Sequence, residues 1–210
     1  ILYMKVLMIN GSSKDNGNTA FALREAETVL KNEGIDVEII NLGADPIRDC
    51  IGCGRCAKLG KCVFDDDIVN KISEKAKNAD GFVFGTPVYY AHPSGRILCA
   101  LDRLFYSGGA SFAHKPGFAL AVARRSGTTA SFDVLNKYFT IAQMPVASSS
   151  YWTVLHGAAP GDVLKDAEGL QTVRHAAANL AWLIKSADAA EKSGIMPPEN
   201  KKTQRTNFIR

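Results

Sequence analysis

Much of what is missing from this 210-residue chain narrows its role. No apolar run approaches the roughly 20 residues a membrane-spanning helix needs, so a membrane partner is not expected. There is no strong excess of one charge: 25 Lys and Arg stand against 21 Asp and Glu, a formal net charge of +4. The segment 191–210 alone holds five basic residues (Lys192, Lys201, Lys202, Arg205, Arg210) against Glu191 and Glu199. The body is therefore close to neutral, and without a basic stripe interleaved with aromatics it is a poor partner for nucleic acid. The N-terminus lacks a charged stretch followed by an apolar core and a small-residue cleavage site, so the cytoplasm is the expected location; Ile1 to Tyr3 read as an extension ahead of a start site or a cloning remnant. The four histidines show no metal-ligand spacing, and His92 alone is expected at the rim. No G-x-S-x-G occurs, which disfavours a serine hydrolase. No internal repeat is visible.

What is present alternates in type. Met4 to Ile9 is apolar apart from Lys5, as a strand covered on both faces of a parallel sheet must be. Ala20, Leu23, Glu27 and Leu30 follow at helical spacing, with Asn18 or Thr19 as the expected cap and Gly34 as the stop. Asp36 to Ile40 alternates like an edge strand, and Ile68 to Asn78 is helical. Gly81 to Phe84 is a third strand, Ile97, Leu98, Leu101, Leu104 and Phe105 mark a helix, and a loop runs from Gly108-Gly109 to Pro116. Phe118 to Val122 is a fourth strand, Phe132, Leu135, Phe139 and Ala142 a helix, and Met144 to Ala147 a short fifth strand. Leu170, Val173, Ala177, Leu180 and Ile184 describe a last long helix. Five alternations predict one α/β domain over 1–190, a doubly wound parallel sheet with helices on both faces. A cysteine-rich insert spans 45–67, and 191–210 is a polar tail without a core pattern. In such folds ligands lie beyond the carboxyl ends of the strands.

Three polar loops fall there. Asn10-Gly11-Ser12-Ser13-Lys14-Asp15-Asn16-Gly17-Asn18-Thr19 joins the first strand to its helix, bringing hydroxyls and backbone N–H groups to the positive end of a helix dipole, the chemistry of a phosphate cradle. It lacks both G-x-x-x-x-G-K-[ST] and G-x-G-x-x-G, which argues against a nucleoside triphosphate and the usual dinucleotide. Pro87-Val88-Tyr89-Tyr90 offers a rigid turn and aromatics for a flat ligand. Arg124-Arg125-Ser126-Gly127-Thr128-Thr129 adds cations and backbone donors.

These loops resemble those of the flavodoxin-like NAD(P)H-dependent FMN reductases. The resemblance rests on Gly11-Ser12-Ser13 to Gly17-Asn18-Thr19, on Thr86-Pro87-Val88-Tyr89-Tyr90 to Pro93-Ser94-Gly95, and on Arg125-x-Gly127-Thr128-Thr129, and spans about residues 4–185. It implies a five-stranded flavodoxin-like sheet of order 2-1-3-4-5. It further implies that Ser12, Ser13, Asn18 and Thr19, with Ala20, hold the FMN phosphate. Pro87, Val88, Tyr89 and Tyr90 would line the isoalloxazine, with Ser94 beside them, and Arg124, Arg125, Gly127 and Thr128 would border the pyrimidine side. The chemistry is then flavin-centred, needing no acid-base side chain. An arginine near N1 and O2 would favour the anionic hydroquinone.

Cys50, Cys53, Cys56 and Cys62 are spaced C-x2-C-x2-C-x5-C, close enough to wrap a metal centre and near the run used by cluster proteins. The motif resembles that of the iron–sulfur flavoproteins, a branch of the same family, and implies a 4Fe-4S cluster. The alternatives are reduced, metal-free thiols or a redox-active pair; zinc more often takes two separated pairs. Following the second strand, the cysteines are expected at the same rim as the flavin loops, within or across a subunit boundary. Cys99 reads as core. The function implied is transfer of electrons from NAD(P)H through FMN to a small-molecule or protein acceptor. With a cluster, it becomes electron transfer to a ferredoxin-like partner; without nicotinamide binding, the chain is a non-catalytic carrier or a flavin-binding regulatory protein. A homodimer or homotetramer is implied, with Phe105-Tyr106 and Tyr151-Trp152 as candidate contacts.

Overall fold

The structure is a computed structural model describing residues 4–206 and 208; Ile1 to Tyr3 and the end of the tail, Asn207 and 209–210, lie outside the described residues. The sheet grows around β1 (Lys5–Asn10), whose Val6, Leu7, Met8 and Ile9 are all fully buried. Side chains alternate between faces along a strand, so four consecutive buried apolar residues demand a helical layer on each side. Val6 and Met8 pack into one core with Leu23, Leu30 and Val173, whereas Leu7 and Ile9 pack into another with Ile72, Leu101 and Phe139.

β2 (Asp36–Asn41) and β3 (Gly81–Tyr89) flank β1, both parallel to it. β5 (Gly117–Ala123) pairs with β3, and β6 (Val154–His156) closes the sheet. The order β2-β1-β3-β5-β6 is the expected 2-1-3-4-5 path once β4 (His92–Pro93), a two-residue strand antiparallel to β3, is set aside. The first core lies under α1 (Asn18–Asn32) and α6 (Ala167–Lys192); the second lies under α3 (Val69–Lys77), α4 (Gly95–Gly108) and α5 (Thr128–Ile141).

The chain departs from the sequence reading in three places. The fifth strand is Val154–His156, not Met144 to Ala147. Val146 makes one bridge to Gly117, and Met144 and Ala147 are buried as core plugs; a short apolar run cannot by itself distinguish a strand from a packed loop. The loop before Pro116 contains a 3-10 turn, Gly109–Phe112, that buries Phe112. β3 does not stop at Phe84: it runs on to Tyr89 and folds back as a hairpin, with Val88 opposite Pro93 and Tyr89 opposite His92. From Ser193 to Thr206 the chain has no helix or strand and is exposed, touching the body where Pro198 O meets His114 Nε2 at 3.1 Å.

Candidate functional site

The loop after β1 is set by its own polar groups. The buried Asn10 amide accepts from Ser12 N at 3.0 Å and donates to Lys14 O at 3.2 Å and Asn41 Oδ1 at 2.8 Å. Gly11 N donates to Gly85 O at 2.7 Å, drawing the loop against the end of β3. A Cβ on Gly11 would lie 2.8 Å from Ile97 Cβ, so only glycine passes there. Ser12 Oγ accepts from Lys14 N at 3.1 Å. α1 then follows Gly17, which at the cap position supplies no side-chain bond, and its first turn carries no acidic residue. The free N–H groups and positive dipole end of α1 therefore face the loop.

Asn18 is not the cap its sequence position suggested. Its Nδ2 donates to Ala159 O at 2.9 Å, and its Oδ1 accepts from Gly161 N at 2.9 Å and Val163 N at 3.3 Å. This ties the segment after β6 to the start of α1, so that Gly157, Ala158 and Pro160 form a fourth wall of a cavity of about 210 Å³. Of the residues anticipated for the ligand, Ser12, Asn18, Thr19, Pro87, Val88, Tyr89 and Arg124 line this cavity. Lys14, Val122 and Ala123 line it too, unanticipated. The one signal for the fourth wall was the glycine and proline of Gly157 to Gly161, indistinguishable in sequence from an ordinary turn.

The others lie around it. Ser13 and Arg125 are exposed outside the lining, and Ala20 is buried in α1. Tyr90 is fully exposed at the hairpin tip, with φ +50°, followed by Ala91 at +59°. Two such residues make the mirror-image turn that a tight hairpin requires, at a strain usually spared by glycine. Gly127, at φ +93°, sits against this tip: a Cβ there would fall 2.4 Å from Ala91 Cα. The second and third loops are thus pressed together, and Thr128 starts α5 without a side-chain cap. Ser94 caps α4, accepting from Ile97 N at 3.3 Å, while its hydroxyl donates to Gly11 O at 2.7 Å. Exposed His92 is outside the lining.

Within this chain the cysteine segment lines a cavity of its own. It carries only the short turn α2 (Cys56–Leu59) and left-handed glycines at Gly52, Gly54 and Gly60, and it packs on the second half of α4. Cys50, Cys53, Cys56 and Cys62 all line one cavity with Arg103 and Tyr106 of α4. No residue lining the first cavity lines this one. None of the four is in a disulfide. Among the described residues no three His, Cys, Asp or Glu lie close enough to hold a single ion. A polynuclear cluster sets its ligands further apart than a single ion does, and four cysteines lining one cavity are the residue type that such a cluster takes. The cavity, about 20 Å³, has room for about one water as it stands, and Gly52, Cys53 and Gly54 at its edge are exposed.

Arg103 organises this region. It is 1% exposed, and its Nε donates to Cys62 Sγ at 3.2 Å. Its remaining donors reach Asp67, Arg48 O at 3.2 Å and Phe64 O at 3.0 Å. Asn70 fastens the same segment, donating to Cys62 O and Phe64 O, each at 3.0 Å. Burial pushes the Asp67 carboxyl up, but hydrogen bonds from Arg103 and from Val69 and Arg48 N–H outweigh it and hold Asp67 below the ordinary carboxylate range. Burial raises the half-buried Cys99 thiol.

The sequence profile described as NADPH-dependent FMN reductase matches residues 4–159. An iron–sulfur flavoprotein of Methanocaldococcus jannaschii is 35% identical over 190 residues, covering 87% of this chain and 98% of that one. Another, from Methanosarcina thermophila, is 28% identical over 86% of this chain and 95% of its own. Among solved structures, an NAD(P)H:quinone oxidoreductase from Methanothermobacter marburgensis superposes with a TM-score of 0.64 at 18% identity, over 85% of this chain and 96% of that one. An archaeal flavodoxin superposes at 0.57 with 14% identity, over 87% and 99% of the two chains. At those identities the likeness is one of fold, and the fold is flavodoxin-like. The loops, the sheet order and these matches agree: the chain belongs to the NADPH-dependent FMN reductase family of flavoprotein oxidoreductases, in the branch that resembles the iron–sulfur flavoproteins.

Proposed function

We propose that the chain binds FMN in the cavity over the start of α1 and oxidises NAD(P)H, delivering the electrons to a small-molecule or protein acceptor. The observation that carries this reading is the meeting of four loops in one cavity above an uncapped helix start. The donor chemistry suits a phosphate monoester: Ser12 and Thr19 supply hydroxyls, the first turn of α1 supplies N–H groups, and Lys14 supplies a countercharge. Pro87, Val88 and Tyr89 offer the ring an apolar face, and Arg124 a cation at its edge. Ser13, Ala20, Tyr90, Ser94, Arg125, Gly127 and Thr128 support this lining rather than form it. FMN supplies hydride acceptance and electron transfer; the protein binds, orients and shields it. Titration of apoprotein with FMN should quench flavin fluorescence at one equivalent, and the holoprotein should oxidise NADPH or NADH at steady state. Protein that leaves the fluorescence unchanged refutes the assignment.

A second reading follows from the four thiols lining one cavity and from the names of the relatives. In it Cys50, Cys53, Cys56 and Cys62 hold a 4Fe-4S cluster, and the chain exchanges electrons with a ferredoxin-like partner. Anaerobically purified protein with four iron and four sulfide per chain supports it, and iron-free protein rejects it. No helix among the described residues is long and apolar enough to cross a membrane, and we place the reaction in the cytoplasm. Exposed Tyr106 and the Tyr151–Trp152 pair, with ring centroids 4.9 Å apart, suit a homodimer or homotetramer contact. Residues to about 190 form the FMN-binding unit, 45–67 its cysteine-rich insert, and 191–210 a tail.

A further inference from the structure

We propose that Arg103 is a positioning residue for the cysteine site, one that fixes Cys62 and lends its charge to the Cys62 sulfur, so that the metal centre held there is easier to reduce. The inference rests on the reading of the four cysteines as cluster ligands, and it concerns a residue of α4 that lies outside the cysteine motif.

Arginine is seldom fully buried, because removing its charge from water costs several kcal/mol unless partners replace the solvent. Arg103 has such partners, and all lie on the cysteine segment or its flanks: Arg48 before the motif, Cys62 within it, Phe64 and Asp67 after it. Its guanidinium also faces the Phe64 ring, 5.6 Å from the centroid. One side chain thus clamps both ends of a segment that otherwise has a single helical turn and three left-handed glycines. Among the four cysteines, Cys62 alone receives a guanidinium hydrogen bond among the described residues.

Asp67 does not cancel this effect at the sulfur. Nε points to Cys62 while NH1 pairs with Asp67, so the carboxylate sits on the far side of the guanidinium. One-electron reduction adds a negative charge that spreads onto the ligand sulfurs, and an N–H donor from a fixed cation in a dry site stabilises that charge. Removing the donor should favour the oxidised state.

The test uses the full chain reconstituted anaerobically with ferrous iron and sulfide. Iron is counted per chain, and midpoint potentials of the metal centre and of bound FMN are read by absorbance titration. Arg103→Lys keeps a charge but loses the fork. Arg103→Met with Asp67→Asn removes the ion pair together, so that no buried charge is left alone. The expected result is a shift of the metal-centre potential to more negative values, larger in the double variant than in Arg103→Lys, with the FMN potential unmoved. Equal metal-centre potentials in iron-loaded wild type and Arg103→Lys overturn the role of Arg103 while leaving the cluster reading intact. Wild-type protein that takes up no iron overturns both. If the double variant does not fold, Arg103→Lys decides alone.

Discussion

The rim loop 11–19 and the cysteine segment 45–67 both gather polar groups around a small cavity, by opposite means. The rim is backbone architecture: strand ends and a helix start bring N–H groups together, and its side chains are spent on holding loops, as Asn10, Asn18 and Ser94 show. The cysteine segment has almost no regular structure, and it is tied to the body by side chains, among them the buried Arg103 and Asn70. The first site forms as the sheet forms. The second depends on side-chain anchors, the buried Arg103–Asp67 pair among them.

That contrast can be broken most forcefully at Asp67. Asp67→Ala leaves the Arg103 charge uncompensated in the interior and should cost about 3–5 kcal/mol in urea denaturation. Thiol reagents should react faster with Cys62, and FMN affinity should be unchanged; a parallel loss of FMN binding would show that the two regions fold as one. On the other side, Thr19→Ala should weaken FMN by about 1.5–3 kcal/mol, tenfold or more in Kd by fluorescence titration, while iron content holds. Gly127→Ala tests the loop pair of the rim: a methyl at φ +93° against Ala91 should cost about 1–3 kcal/mol and loosen FMN, again sparing the thiols. The smallest effect is in pH. Asp67 is held below its ordinary value, so its contribution is complete above the unfolded carboxylate pKa near 4 and fades as pH falls through the lower folded value. The stability gap between wild type and Asp67→Ala should therefore narrow in urea curves recorded below about pH 4.

Period and punctuation made the sheet legible in the sequence. Met4 to Ile9 reads as a doubly covered strand, and Gly11 to Gly17 as the loop at its carboxyl end. What stayed hidden depended on contacts distant in the chain. The Asn18 bonds reach 141 to 145 residues ahead, so the wall at Gly157 to Pro160 left no local trace. The fifth strand was misplaced because Val154–His156 is too short to show a period. The cysteines, expected at the rim within or across a subunit boundary because their segment follows β2, line a separate cavity of this chain beside α4, where Arg103, a residue with no signal of its own in an amphipathic helix, bonds Cys62.

α4 also acts as a ruler. Its first residue follows Ser94, which is bonded to the rim loop, and Arg103 stands nine residues on, about 13 Å along the axis at helical rise. Insertions in 45–67 can lengthen or reshape the loops between the two cavities, but the spacing between their anchors is stamped into one rigid rod and does not change with them.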